Sequence, residues 1–356
     1  MDTLWVDKHR PKNLELLDHN KQLTSTLKKL SGSVDLPHLL FYGPNGAGKK
    51  TRIMAFLSEL YGNGVYKLKP DHWEFKASAT SSTKIECAVL SSNYHIDITP
   101  SDVENYDRVV LQKLIKEVAS SEQLNTKSQR SFKIVVINEV DRLTREAQAA
   151  LRRTMEKYVA TCRLILCCEN VGKVIQPLRS RCLLLRVAAP QHDVIGGVIR
   201  KIAKKENVQI SEKLISRLCV DSERNLRRAI LQFQTLRMQS HQLNDNQALH
   251  SPEWREAIKT ISKDILHEQT PTQLKAIREK VYDLLVNCVP GEVIIKSVMM
   301  DLMSSIDDDI KFEAIHWAAY HENKLQKGSK PIFHIEAFIS RMMLLYKRFC
   351  LSLGIQ

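Results

Sequence analysis

The sequence predicts a parallel α/β domain followed by two all-helical domains, one small and one larger. Three observations carry that reading. Short apolar runs alternate with helical patterns through the first half, which implies parallel strands covered by helices on both faces. Strand signals stop at Pro190, after which only helical periodicity continues. A glycine-rich turn also separates the first apolar run from the first long helix.

Residues 38–42 (His-Leu-Leu-Phe-Tyr) form a buried run that predicts a strand, with a helix following over about 48–60. Residues 94–98 alternate polar and apolar, as a half-buried strand does. Over 107–120, Val110, Leu111, Leu114, Ile115 and Val118 recur at helical spacing. A strand over 132–137, a helix over 143–158, a strand over 163–168 and a short strand over 183–187 complete the α/β part. Three short helices come next, at 194–205, 212–219 and 225–238, and the polar stretch 239–252 reads as a linker. The remainder is helical, with segments at 272–286, 292–304, 309–324 and 332–353. The expected domains are therefore 1–189, 190–240 and 253–356, with the linker at 241–252.

At 356 residues the chain can bury two or three cores. No apolar run approaches the roughly 20 residues of a membrane span, and no apolar segment follows Met1 as a secretory signal requires. Eight cysteines are scattered without metal-ligand spacing, so no metal site is expected, and their usage suits a reducing compartment. The formal charge of +13 favours a polyanionic partner, nucleic acid first, although a solvated Lys-rich surface would give the same number. Aromatic residues are only 6% and do not interleave with basic ones, which argues against capture of single strands by stacking.

Gly43-Pro44-Asn45-Gly46-Ala47-Gly48-Lys49 follows the first strand and opens a helix, the context that makes G-x-x-x-x-G-K a phosphate-binding loop. Glycines let backbone N–H groups turn inward around phosphate oxygens, the helix N-terminus adds its dipole, and Lys49 reaches the outer phosphates. The next residue should be a Ser or Thr whose hydroxyl holds Mg²⁺; here it is Lys50. Thr51 comes after it, but one residue is about 100° around a helix, so it cannot simply take over.

A second motif agrees. Ile134-Val135-Val136-Ile137-Asn138-Glu139-Val140-Asp141 has the form of a Walker B strand, with Asn138 where the metal-supporting acid belongs. Glu139 occupies the place of the base that orients the attacking water, and Asp141 is expected to cap the following helix. Lys50 and Asn138 both fall on the magnesium side, so a site that holds ATP or ADP but hydrolyses it poorly is expected, with Mg²⁺ in question. Together these motifs give an α/β P-loop AAA+ domain.

The chain resembles the small subunits of replication factor C, the eukaryotic clamp loader, over essentially its whole length. Leu4-Trp5-Val6-Asp7-Lys8-His9-Arg10-Pro11 is similar to the family's W-V-x-K-Y-R-P segment, with His9 in place of Tyr. Residues 148–156 resemble its A-L-R-R-T-M-E helix, and Ser180-Arg181-Cys182 its S-R-C box. The resemblance implies that Val6 and the backbone near Asp18 flank the adenine. It makes Arg181 an arginine finger acting in trans on a neighbour's ATP, a task suited to a permanently charged, forked guanidinium. Asn170 falls at the sensor-1 position and Arg227 at sensor 2 on a helical lid, with Arg228 a solvated neighbour. The G-P-N-G-x-G-K-K-T loop matches the one family member regarded as binding nucleotide without hydrolysing it.

Membership of that family would imply a nuclear heteropentamer with four other replication factor C subunits, or an alternative large subunit. That assembly loads the sliding clamp PCNA onto primer–template DNA. The last helical block would be its collar, although periodicity alone is equally consistent with a domain packed only on itself. Backbone-directed DNA contact falls to Arg108, Arg142, Thr144 and Arg145 near two helix starts. Two other readings are a self-sufficient AAA+ ATPase, such as a helicase loader or remodeller, and a structural module with a vestigial loop.

Overall fold

A computed structural model describes residues 3–33, 35–76, 84–120, 132–159, 161–240, 243–245, 247–249 and 251–352. The chain divides into two compact units, Met1–Leu249 and His250–Gln356.

The first unit is built on a seven-stranded sheet: β1 (Leu39–Tyr42), β2 (Lys69–Lys76), β3 (Lys84–Ser91), β4 (His95–Ile98), β5 (Lys133–Ile137), β6 (Cys162–Cys168) and β7 (Leu183–Arg186). Their spatial order is β2-β3-β4-β5-β6-β1-β7. From β4 to β7 neighbouring strands are parallel, as the alternation with helices predicts. Successive side chains point to opposite faces, so Leu40, Val135, Ile137, Leu164 and Leu166 enter one core while Leu39, Phe41, Ile134, Val136 and Ile165 enter another. Both faces are therefore covered, which is why these strands read as near-continuous apolar runs.

The parallel sheet that the alternation predicts carries an antiparallel margin. β2 and β3 form an antiparallel hairpin, and β3 pairs antiparallel with β4. The pair forms no continuous apolar run, but Ile85, Cys87 and Val89 alternate with exposed positions, the same half-buried pattern that marks 94–98. At the opposite edge, β7 leaves Leu183 and Leu184 exposed.

Around the sheet and beyond it run α1 (Trp5–Lys8), α2 (Lys21–Gly32), α3 (Lys49–Tyr61), α4 (Asp107–Ser120), α5 (Arg145–Lys157), α6 (Gln176–Arg179), α7 (His192–Lys205), α8 (Glu212–Asp221) and α9 (Leu226–Gln239). Side-chain caps set several starts: Thr144 accepts from the Ala147 N–H, Ser211 from Leu214, and Asn225 from Arg228. Helices α7 to α9 enclose a core of their own around Ile199, Leu218 and Phe233. Trp5 joins that core, edge-on to Phe233 at 5.1 Å, while its backbone N–H donates to Gln234.

The second unit comprises α10 (Glu253–His267), α11 (Pro271–Val286), α12 (Gly291–Met303), α13 (Asp308–Lys327) and α14 (Pro331–Ser352), packed around Ile261, Ile294 and Phe338. No helix among the described residues is long and apolar enough to cross a membrane.

Candidate functional site

The loop between β1 and α3 takes the shape its glycines allow. Gly43 and Gly46 have φ of +153° and +70°, a region closed to most side chains. Each is also crowded: a Cβ on Gly43 would lie 2.0 Å from the Val187 carbonyl oxygen, and one on Gly46 only 1.8 Å from Asn225 Oδ1. The loop thus lies between the end of β7 and the cap of α9. Lys49 opens α3 and donates through Nζ to the carbonyls of Gly43 (2.6 Å) and Pro44 (3.1 Å), which holds its ammonium across the loop mouth. Beside it lies a cavity of about 540 Å³, in the range of small-molecule sites. Val6, Asp18, Asn138, Glu139 and Arg227 line it, together with every residue from Asn45 to Thr51.

Lys50 and Asn138 meet on a residue the sequence did not single out. Asp97, on β4 and only 4% exposed, accepts Lys50 Nζ at 2.8 Å on one oxygen and Asn138 Nδ2 at 2.5 Å on the other. The Asn138 amide also faces Ile98 O at 3.2 Å and Thr99 Oγ1 at 3.4 Å, so its N–H₂ end is the one turned to this cluster. A hard dication requires oxygen ligands. Here an ammonium and an amide N–H₂ point where those ligands belong, and the residues do not fit Mg²⁺. Nor do the described residues contain a group of three or more His, Cys, Asp or Glu able to hold a metal.

Glu139 sits at φ +52° and its carboxylate accepts from Ser101 Oγ and Arg142 Nη1, both at 3.2 Å. Contrary to expectation, Asp141 does not cap the next helix. Its carboxylate accepts the N–H groups of Glu169 (3.0 Å) and Asn170 (2.9 Å), fixing the loop after β6, while Thr144 is the cap. Asn170 turns its own Oδ1 to the Gly172 N–H at 2.8 Å; the cavity wall at this strand end is Cys167, Cys168 and Glu169. Burial pushes the Cys167 and Cys168 thiols up to about 11 and 12, so both stay neutral.

Helix α7 is tied to the N-terminal segment across the cavity. Asp18 pairs with Lys201, and Glu206 takes both Lys8 (2.7 Å) and His9 (2.5 Å). Arg227 is exposed at the cavity rim. Arg228 is not the solvated residue expected: it is half-buried against Asp221 at 3.0 Å, which Gln232 also engages. Lys201 and Glu206 were missed because only the folding of the N-terminal segment against α7 brings Asp18, Lys8 and His9 to them.

Arg181 lies outside the cavity lining, between α6 and β7. Its Nε and Nη2 grip Glu156 Oε1 at 2.8 and 2.6 Å, and Nη1 donates to Pro177 O at 2.9 Å. The candidate DNA residues cluster at two helix starts. Asp107, buried at the head of α4, accepts the N–H of Arg108 (2.6 Å) and both the N–H (2.7 Å) and hydroxyl (3.0 Å) of Thr144. The N-termini of α4 and α5 are thereby pinned side by side. Arg145 is exposed, Arg142 holds Glu139, and Arg108 meets Glu146 at 3.2 Å.

Comparison with known proteins agrees with this layout. Three family models match: "DNA polymerase III, delta subunit" over 19–191, "RCF1/5-like, AAA+ ATPase lid domain" over 197–238, and "Replication factor C subunit 3, C-terminal domain" over 254–350. The chain is 47% identical to replication factor C subunit 5 of Oryza sativa subsp. japonica, over 98% of its length and 99% of that protein. It is 45% identical to subunit 3 of Arabidopsis thaliana (98% and 99%) and 47% identical to subunit 3 of Mus musculus (98% and 97%). The chain belongs to the replication factor C small-subunit family. Within it, these relatives place the chain on the branch called subunit 3 or subunit 5 according to the organism. Among solved structures, the Thermotoga maritima RuvB Holliday junction branch migration motor shares the fold at 16% identity and TM-score 0.53, covering 83% of this chain and 91% of that one. As a replication factor C small subunit, the chain is a nucleotide-binding AAA+ component of a multi-subunit clamp loader.

Proposed function

We propose that this small subunit binds ATP or ADP without turning it over efficiently and lends Arg181 to the ATP held by its neighbour. The supporting observation is the contrast across one cavity: an ordered phosphate loop with Lys49 at its mouth, beside a cation position filled by protein donors. Phosphoryl transfer relies on metal to neutralise charge between the outer phosphates, so binding survives where hydrolysis does not. Residues 190–240 act as the lid, carrying Arg227, and 253–356 as the collar that joins it to four other subunits or an alternative large one. Val6 and Asp18 border the adenine, and Asn170 supports the strand end behind the phosphates. The assembly loads PCNA onto primer–template DNA in the nucleus, with Arg108, Arg142 and Arg145 gripping phosphates beside the paired helix N-termini. Thr144 contributes there by shaping the turn.

Arg181→Ala is expected to lower ATP turnover of the reconstituted pentamer at least tenfold while the five chains still co-elute. Unchanged turnover overturns the finger. Denaturing the purified subunit should release bound nucleotide; magnesium-dependent turnover by the subunit alone, abolished by Glu139→Gln, would instead support a self-sufficient ATPase.

A further inference from the structure

The misfit of Mg²⁺ to this site has a specific form. Lys50 lines the nucleotide cavity and is 45% exposed, whereas Asp97, its partner at 2.8 Å, is 4% exposed behind it. The ammonium is therefore the cavity-facing end of the pair, and a carboxylate bond leaves it two further donors. Asn138 occupies the other oxygen of Asp97. Neither oxygen is left without a donor, so Asp97 is not a free metal ligand.

We infer that Lys50 is a resident cation: its ammonium, fixed by Asp97, serves the nucleotide phosphates in place of the dication, and the subunit binds nucleotide without a metal requirement. This deepens the proposed function and rests on its nucleotide cavity. The two departures from the usual motif form one device. An aspartate at 138 would set a second carboxylate beside Asp97 with a single ammonium to balance both. A threonine at 50 would leave Asp97 buried with no cation at all. Each substitution makes the other necessary, and Asp97 is the positioning residue that joins them.

The test uses the full chain, titrated with a fluorescent ADP analogue in magnesium and in EDTA. Wild type is expected to bind with the same affinity in both, within about twofold. Lys50→Thr alone should weaken binding in EDTA and recover only in part with magnesium. Lys50→Thr with Asn138→Asp should bind at least tenfold more tightly with magnesium than without it. Mn²⁺ added to the ADP complex, followed by electron paramagnetic resonance, should give a protein-bound signal in the double variant and none in wild type. A tenfold loss of wild-type affinity in EDTA, or a bound Mn²⁺ signal in wild type, overturns the resident cation while leaving nucleotide binding intact. Failure of wild type to bind in either buffer sinks the nucleotide site itself, and this inference with it. Should the double variant not fold, as its thermal unfolding would show, the wild-type measurements still decide.

Discussion

His38 and His95, at the amino ends of β1 and β4, are both buried, and burial is the main reason each pKa falls from 6.5 to about 4. The unfolded chain therefore binds more protons than the folded one between about pH 6.5 and 4. The stability each histidine lends is intact above pH 6.5 and is lost as pH falls toward 4. Between pH 7 and 5 the loss is about 2 kcal/mol per histidine, to be read from urea unfolding at the two pH values; His95→Gln should halve the dependence and leave the His38 part. A flat wild-type profile would refute it. At this scale the motif residues were legible because a P-loop fixes spacing, so Lys50 and Asn138 could be picked out by position alone. Asp97 could not. Its role arises only when β4 pairs with β5, setting Asp97 opposite Val136 and bringing it to Asn138. A carboxylate within a half-buried strand was the available signal, since a buried charge must find donors. Asp141 was misplaced because its partners lie in a loop 28 and 29 residues on, and Arg228 because its partner closes the preceding helix, α8.

Helices α4 and α5 share one anchor, and this separates stability from binding. Thr144 caps α5 and also bonds Asp107. Thr144→Ala is expected to cost about 1–2 kcal/mol in a denaturant titration, with a smaller, secondary loss of DNA affinity through the loosened turn. Arg145→Ala should do the reverse: unchanged unfolding, weaker DNA binding. If Arg145→Ala leaves DNA affinity unaltered, the paired N-termini are not the grip. Elements buried on both faces were readable as apolar runs, and helix starts were readable where Thr, Ser or Asn caps them. The β2–β3 hairpin carried the same signal as 94–98, with Ile85, Cys87 and Val89 at alternate positions, and went unread; only its antiparallel pairing with β4 has no record in the local pattern.

The whole molecule is electrically lopsided. Residues 1–249 contain 39 of the 53 Lys and Arg and 26 of the 40 Asp and Glu, and so carry all of the +13; the other 14 basic and 14 acidic residues cancel in the second unit. The polyanion partner expected from total charge is therefore to be sought on the first unit. Charge removal at Arg108, Arg142 or Arg145 should each reduce the slope of log affinity against log salt for DNA by about one. The same neutralisation by Lys-to-Gln changes confined to residues 253–356 should leave that slope unchanged, and a change there would move the grip to the helical unit. The parallel layers and both helical regions were visible in the sequence; the charge division depends on where the chain folds into separate bodies. The open edge of β7, next to Arg181, bears on the life of the chain before assembly. Among the described residues no strand pairs with the outer side of β7, where Leu183 and Leu184 lie exposed, and such an edge is the kind of surface on which strands from other molecules add. A copy made in excess of its partners is consequently a target for self-association and for chaperones, and its soluble yield should rise when the neighbouring subunits are synthesised alongside it.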